Sequence, residues 1–130
     1  MNHGFGQELS EFKWENRLLV ILSTESNISH GAHQLKEFDN LTQELADRKL
    51  RLLKITPDSV QTFDYSIQPI KKAKESGLWS KFASDNKEFE VMLIGLDGGI
   101  KFRSKQLVNA QDIFDRIDSM PMRKSELDKK

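Results

Sequence analysis

Residues 89–104, FEVMLIGLDGGIKFRS, constrain the fold of this chain more than any other stretch. Val91 to Ile94 form an unbroken apolar run, which predicts a strand covered on both faces. Asp97-Gly98-Gly99 follows, and glycine meets no Cβ penalty at positive φ, so a tight hairpin is expected there. Ile100 to Arg103 then alternates apolar with basic residues, the pattern of a strand wet on one face. A buried strand that turns back as a half-exposed one places this hairpin at the side of a sheet.

A second apolar run, Leu18 to Leu22, predicts another buried strand over residues 17–23. Thr24-Glu25-Ser26-Asn27 reads as a loop, because these side chains bond their own backbone. Ser29 is the expected N-cap of a helix running to about Asp47, with Leu35, Phe38, Leu41 and Leu45 along one stripe. Leu50 to Thr56 is a third strand, more polar and so expected at a sheet edge. Between 58 and 88 the spacing predicts a helical turn at Val60 and Phe63, then a short helix from Pro69 to about Ser76 broken by Gly77. Leu78, Trp79 and Phe82 make another apolar cluster. Past the hairpin, Leu107, Ala110, Ile113, Phe114 and Ile117 recur at helical spacing, with Asn109 as N-cap and Pro121 as the stop.

The order is therefore β-α-β-α-β-β-α, an α/β fold with a central mixed four-stranded sheet and helices on both faces. That order is the core of a thioredoxin-like domain, with strands 17–23 and 89–95 central and strands 50–56 and 100–104 at the edges. One such domain is expected over residues 14–123. An N-terminal arm at 1–13 precedes it and a flexible charged tail at 124–130 follows.

Composition narrows the chemistry. Lysine plus arginine equal aspartate plus glutamate at 20 each, so no overall field selects nucleic acid or an anionic membrane. Lys71, Lys72 and Lys74 form the basic patch of note and read as a solvated face, with no nucleic-acid partner expected. The chain has no cysteine, which excludes disulfides, thiolate catalysis and zinc-thiolate sites. No apolar run approaches the roughly 20 residues of a membrane span. The opening Met-Asn-His-Gly-Phe-Gly lacks the basic and apolar regions of a secretory signal.

Several motifs carry a family resemblance. They are Asn16 to Val20, Gln34, Asp47-Arg48, Leu93-Ile94-Gly95 with Asp97-Gly98-Gly99-Ile100-Lys101, and Ile117-Asp118-Ser119-Met120-Pro121-Met122-Arg123. Over roughly residues 14–126 the chain resembles the thioredoxin-like family known as domain of unknown function 4174. That family includes the DUDES-type domains of exported bacterial proteins and of vertebrate matrix and sushi-repeat proteins. The resemblance implies a thioredoxin-like or peroxiredoxin-like fold and export to a periplasmic or extracellular space. It marks Arg48, Asp97, Gly98, Gly99, Lys101, Asp118, Pro121 and Arg123 as motif residues. Thr24 to Asn27 stand where thioredoxins carry redox cysteines, and residues 84–88 lack the proline that thioredoxins keep before the following strand. Both departures argue against thiol-disulfide exchange.

Ligands of open α/β sheets bind beyond the carboxyl ends of the central strands. Here that rim is residues 23–30, so Thr24, Glu25, Ser26, Ser29, His30 and Gln34 are the ligand-binding candidates. The helix start beside them suits an anion. His30 and His33 stand i, i+3 without a third or fourth ligand, so no metal site is expected, nor a cofactor. The leading expectation is an exported, non-redox module that binds a protein or a small anionic ligand. The alternative is a cysteine-independent enzyme, reductase-like or hydrolytic, that uses Glu25 and nearby hydroxyls.

Overall fold

The computed structural model describes residues 5–74, 77–83 and 88–128. The first four residues, residues 75–76 at the end of the expected 69–76 helix, residues 84–87 of the segment before the central hairpin, and the last two residues of the expected tail lie outside them. In chain order the elements are α1 (Phe5–Phe12), β1 (Arg17–Leu22), a 3-10 turn (Glu25–Asn27), α2 (Ile28–Lys36), α3 (Thr42–Asp47) and β2 (Leu50–Ile55). There follow β3 (Ser59–Phe63), β4 (Pro69–Lys74), α4 (Leu78–Phe82), β5 (Glu90–Ile94), β6 (Ile100–Ser104), α5 (Ala110–Asp118) and α6 (Pro121–Asp128).

The strands form one sheet in the order β4-β3-β2-β1-β5-β6. β1 runs parallel to β2 and antiparallel to β5, so Leu19 sits between Leu52 and Leu93. Their apolar side chains point alternately to two covered faces. Leu19, Ile21, Leu52, Val91 and Leu93 pack against Phe38, Leu45, Ile113, Phe114 and Ile117 from α3, α5 and the turn before α3. Leu18, Val20, Leu22, Leu53 and Met92 pack against Leu78, Trp79 and Phe82 of α4, with Leu9 and Phe12 of α1 at the margin. Burying each leucine or phenylalanine contributes about 1.5–3 kcal/mol. The continuous apolar runs of β1 and β5 reflect this two-sided burial.

The central hairpin forms as expected, and β6 is an edge strand. Of its turn residues, Gly98 is the one at positive φ, 83°. The Asp97 carboxylate accepts a bond from the Gly99 N–H at 2.9 Å and from Lys101 Nζ at 2.9 Å, which fixes the turn. Asn109 caps α5 by accepting from the Asp112 N–H at 2.8 Å.

Several expectations are corrected. The sheet has six strands, not four, because residues 59–63 and 69–74 are strands rather than helical turns. Ser59-Val60-Gln61-Thr62 alternates with a period of two, and Val60 and Thr62 are buried where Ser59 and Gln61 are not. β4 has no apolar period of its own and is a strand by pairing with β3. As a result β2 is interior, between β1 and β3.

The helix expected over 29–47 is two helices. Asn27, not Ser29, holds the N-cap position, and a turn through Asn40 at φ 62° separates α2 from α3. Pro121 ends no helix; it opens α6, a position that suits proline because its missing N–H has no intrahelical partner there. Residues 124–128, expected as a mobile tail, continue α6. The buried Arg123 anchors that helix.

Candidate functional site

Beyond the ends of β1 and β2 lies an open groove of about 770 Å³. One wall is Thr24, Glu25 and Ile28 at the start of α2; the floor is the outer half of the sheet. Register builds that floor. Lys54 of β2 lies opposite Gln61 of β3, and Gln61 lies opposite Lys72 of β4. Residues opposite one another share a face, so the three side chains form a polar row across three strands. Ser59 and Lys74 form the next pair along, and Thr56 completes the floor at the β2-β3 turn.

Lys54 is half-buried, and burial lowers its pKa from the ordinary lysine value. Its stem passes beneath α2 at Gly31, where a Cβ would come within 3.4 Å of Lys54 Cε and 3.0 Å of Ser23 Oγ. The tight approach is to Ser23, so glycine lets the helix sit close to the end of β1, while a Cβ would only touch the lysine. Among the described residues no carboxylate comes within ion-pair distance of Lys54, Lys72 or Lys74, although Glu25 and Asp58 line the same groove.

The rim candidates separate. Thr24 and Glu25 line the groove. Ser26 Oγ and Thr24 Oγ1 are 2.8 Å apart, and the Thr24 N–H donates to Asn27 Oδ1 at 2.7 Å, so this loop is closed on itself. Ser29 is exposed on α2 outside the groove lining, and the exposed His30 holds its ring 5.5 Å from that of Phe89 at a tilt of 43°. Gln34 is buried away from the groove. Its amide donates to the Val108 carbonyl and accepts from the Val108 N–H, each at 2.8 Å, tying α2 to the segment before α5. Among the groove residues, sequence reasoning missed Lys54, Ser59 and Gln61, and it read Lys72 and Lys74 as a solvated basic face rather than as part of a site. The two-residue alternation of 59–62 was the available signal.

The family-motif residues gather at the other end of β1. Arg48 at the end of α3 and Arg123 of α6 both bond Asp118, the last residue of α5. Arg123 also bonds the Asp47 carboxylate at 2.6 Å, and Arg17 pairs with Glu126 at 3.2 Å. Burial alone would raise the Asp118 pKa; the hydrogen bonds and charges of Arg48 and Arg123 overcome it and hold it below the ordinary value. At the hairpin, the Gly99 N–H and then Lys101 lower the pKa of Asp97. Near this end a small hollow of about 370 Å³ is lined by Leu96, Met120, Pro121 and Met122 with Asp97 and Lys101. The network joins four elements, which makes it a clasp for the fold.

Among the described residues no group of three or more histidine, aspartate or glutamate side chains is placed to hold a metal, and no helix is long and apolar enough to cross a membrane.

Two solved structures share the architecture. The mitochondrial 2-Cys peroxiredoxin of Plasmodium falciparum superposes with a TM-score of 0.56 at 15% identity, covering 85% of this chain and 79% of that one. The reduced 2-Cys peroxiredoxin of Plasmodium vivax gives 0.59 at 15% identity, covering 90% and 72%. Likeness at this identity shows a thioredoxin-like fold and no more. No curated protein matches the chain in sequence. The model of the family described as domain of unknown function (DUF4174) matches residues 8–126, spanning both the groove and the arginine clasp. The chain thus belongs to the DUF4174 family, as a thioredoxin-like member without cysteine.

Proposed function

We propose that this protein is a non-redox binding module whose groove between the start of α2 and the β2-β3-β4 floor takes an anionic ligand. The observation that carries the reading is the half-buried Lys54, held in a row with Gln61 and Lys72 and without a carboxylate partner among the described residues. Desolvating an ammonium costs free energy unless an anion offsets it, and a bound anion would supply that offset. Thr24, Thr56 and Ser59 add hydroxyls to the same lining. The enzymatic alternative has less support, since the Thr24 and Ser26 hydroxyls it would use are engaged with each other. Chemistry through a thiolate is excluded, because the chain has no cysteine.

Thermal melting with and without pyrophosphate tests the reading. A ligand that binds only the folded state raises the melting temperature. The expected result is a saturable rise that disappears in Lys54→Met and weakens in high salt. An equal rise in the wild type and in Lys54→Met would contradict it. A periplasmic or extracellular location, implied by the family resemblance, belongs to the same proposal. Fractionation of the native host should find the protein outside the cytoplasm, and a cytoplasmic pool alone would overturn that part.

A further inference from the structure

β4 is an open edge of the sheet, with β3 as its strand neighbour. Lys72 and Lys74 lie opposite Gln61 and Ser59 and so face the groove, while Ala73, opposite Val60, packs on the other face. The two edges of the sheet differ in how they treat their basic residues. On and just after β6, Lys101 pairs with Asp97 at 2.9 Å, Arg103 with Glu90 at 2.6 Å and Lys105 with Glu88 at 3.1 Å. On β4, Lys72 and Lys74 have no acidic partner among the described residues. Among the described residues, then, no strand lies beyond β4, and Lys72 and Lys74 on its groove face have no acidic partner.

An edge of this kind can receive an extended segment as an added strand, which pairs through its backbone and is selected by alternate side chains. A second copy of the chain added antiparallel by the same edge would set lysine against lysine, and like charges directly opposite destabilise a strand pair. A segment with acidic residues at every second position satisfies both the backbone and the charge. Resting on the anion-groove reading, we propose that the ligand is an extended acidic segment of a partner protein. It adds to β4 with alternate carboxylates facing Lys72 and Lys74, over the groove that holds Lys54.

The test is fluorescence anisotropy with a labelled, end-blocked peptide alternating glutamate and threonine, and two N-methylated versions of it. One version is methylated at the glutamates and the other at the threonines. Alternate N–H groups of an added strand point toward the edge, so methylation in one register should weaken binding roughly tenfold or more while the other register is tolerated. Lys72→Glu with Lys74→Glu should weaken the unmodified peptide to a similar degree with an unchanged melting temperature. If both methylated peptides bind as well as the unmodified one, strand addition is overturned. If pyrophosphate binds and the peptide does not, strand addition is likewise overturned and the anion groove stands. If neither binds, both readings fall.

Discussion

Arg48 holds Asp118 by two parallel hydrogen bonds, Nε to Oδ1 at 3.1 Å and Nη2 to Oδ2 at 2.9 Å, joining the end of α3 to the end of α5. A carboxylate in the last turn of a helix opposes the helix dipole. The paired geometry with Arg48, reinforced by Arg123 Nε at 3.0 Å, offsets that cost. The Arg48 guanidinium also lies 4.4 Å from the centre of the Phe114 ring, so its position is fixed from a second side.

This pairing sets an acid limit to stability. The Asp118 carboxyl titrates lower in the folded chain than in the unfolded one, where its pKa is about 3.9. Its contribution is therefore complete above that value and is lost as pH falls through the lower folded one. Urea denaturation from pH 6 downward should show wild-type stability dropping below about pH 4. Asp118→Asn should be less stable by roughly 1–3 kcal/mol at neutral pH, with a shallower acid slope. Identical slopes in the two proteins would remove Asp118 from the account.

Arg123 is charged yet 1% exposed. It donates to the Asp47 carboxylate and carbonyl and to Asp118, with Glu126 at 3.4 Å, so it pins α6 to α3 and α5. Arg123→Met keeps much of the volume and leaves two carboxylates, each about a third exposed, short of a partner. The expected loss is roughly 2–4 kcal/mol, with amide protection falling first in α6. A loss under about 0.5 kcal/mol with α6 still protected would show that the helix docks without the clasp.

Gln34 separates a structural role from a ligand-binding one. Gln34→Leu leaves the Val108 N–H and carbonyl without their partner, at an expected cost of about 2–4 kcal/mol. Pyrophosphate binding by the folded protein should not change. Weaker binding at unaltered stability would instead place Gln34 in the site.

What the sequence revealed depended on where burial was two-sided. β1 and β5 were legible because their apolar runs admit no other reading, and Asn109 was legible because a cap is a local contact. β4 was not, since Pro69-Ile-Lys-Lys-Ala-Lys74 owes its strand conformation to β3 and has no periodic signal of its own. The floor of the groove was missed for that reason, although its rim at Thr24 and Glu25 was not. Lys54, Gln61 and Lys72 are far apart in sequence and become one row only through register. Residues 124–128 were misread for a related reason: a charged stretch after a proline looks solvated until Arg123, buried against the carboxylates of α3 and α5, anchors the helix they continue.

The most direct measurement of the central claim is the titration of Lys54, followed through the 13Cε resonance of its side chain with and without pyrophosphate. The anion groove predicts a midpoint below the usual lysine value in the free protein, because burial disfavours the charged form. It predicts a clear upward shift when the anion is bound. A midpoint that stays where it was at saturating pyrophosphate would contradict the claim that this lysine receives the ligand.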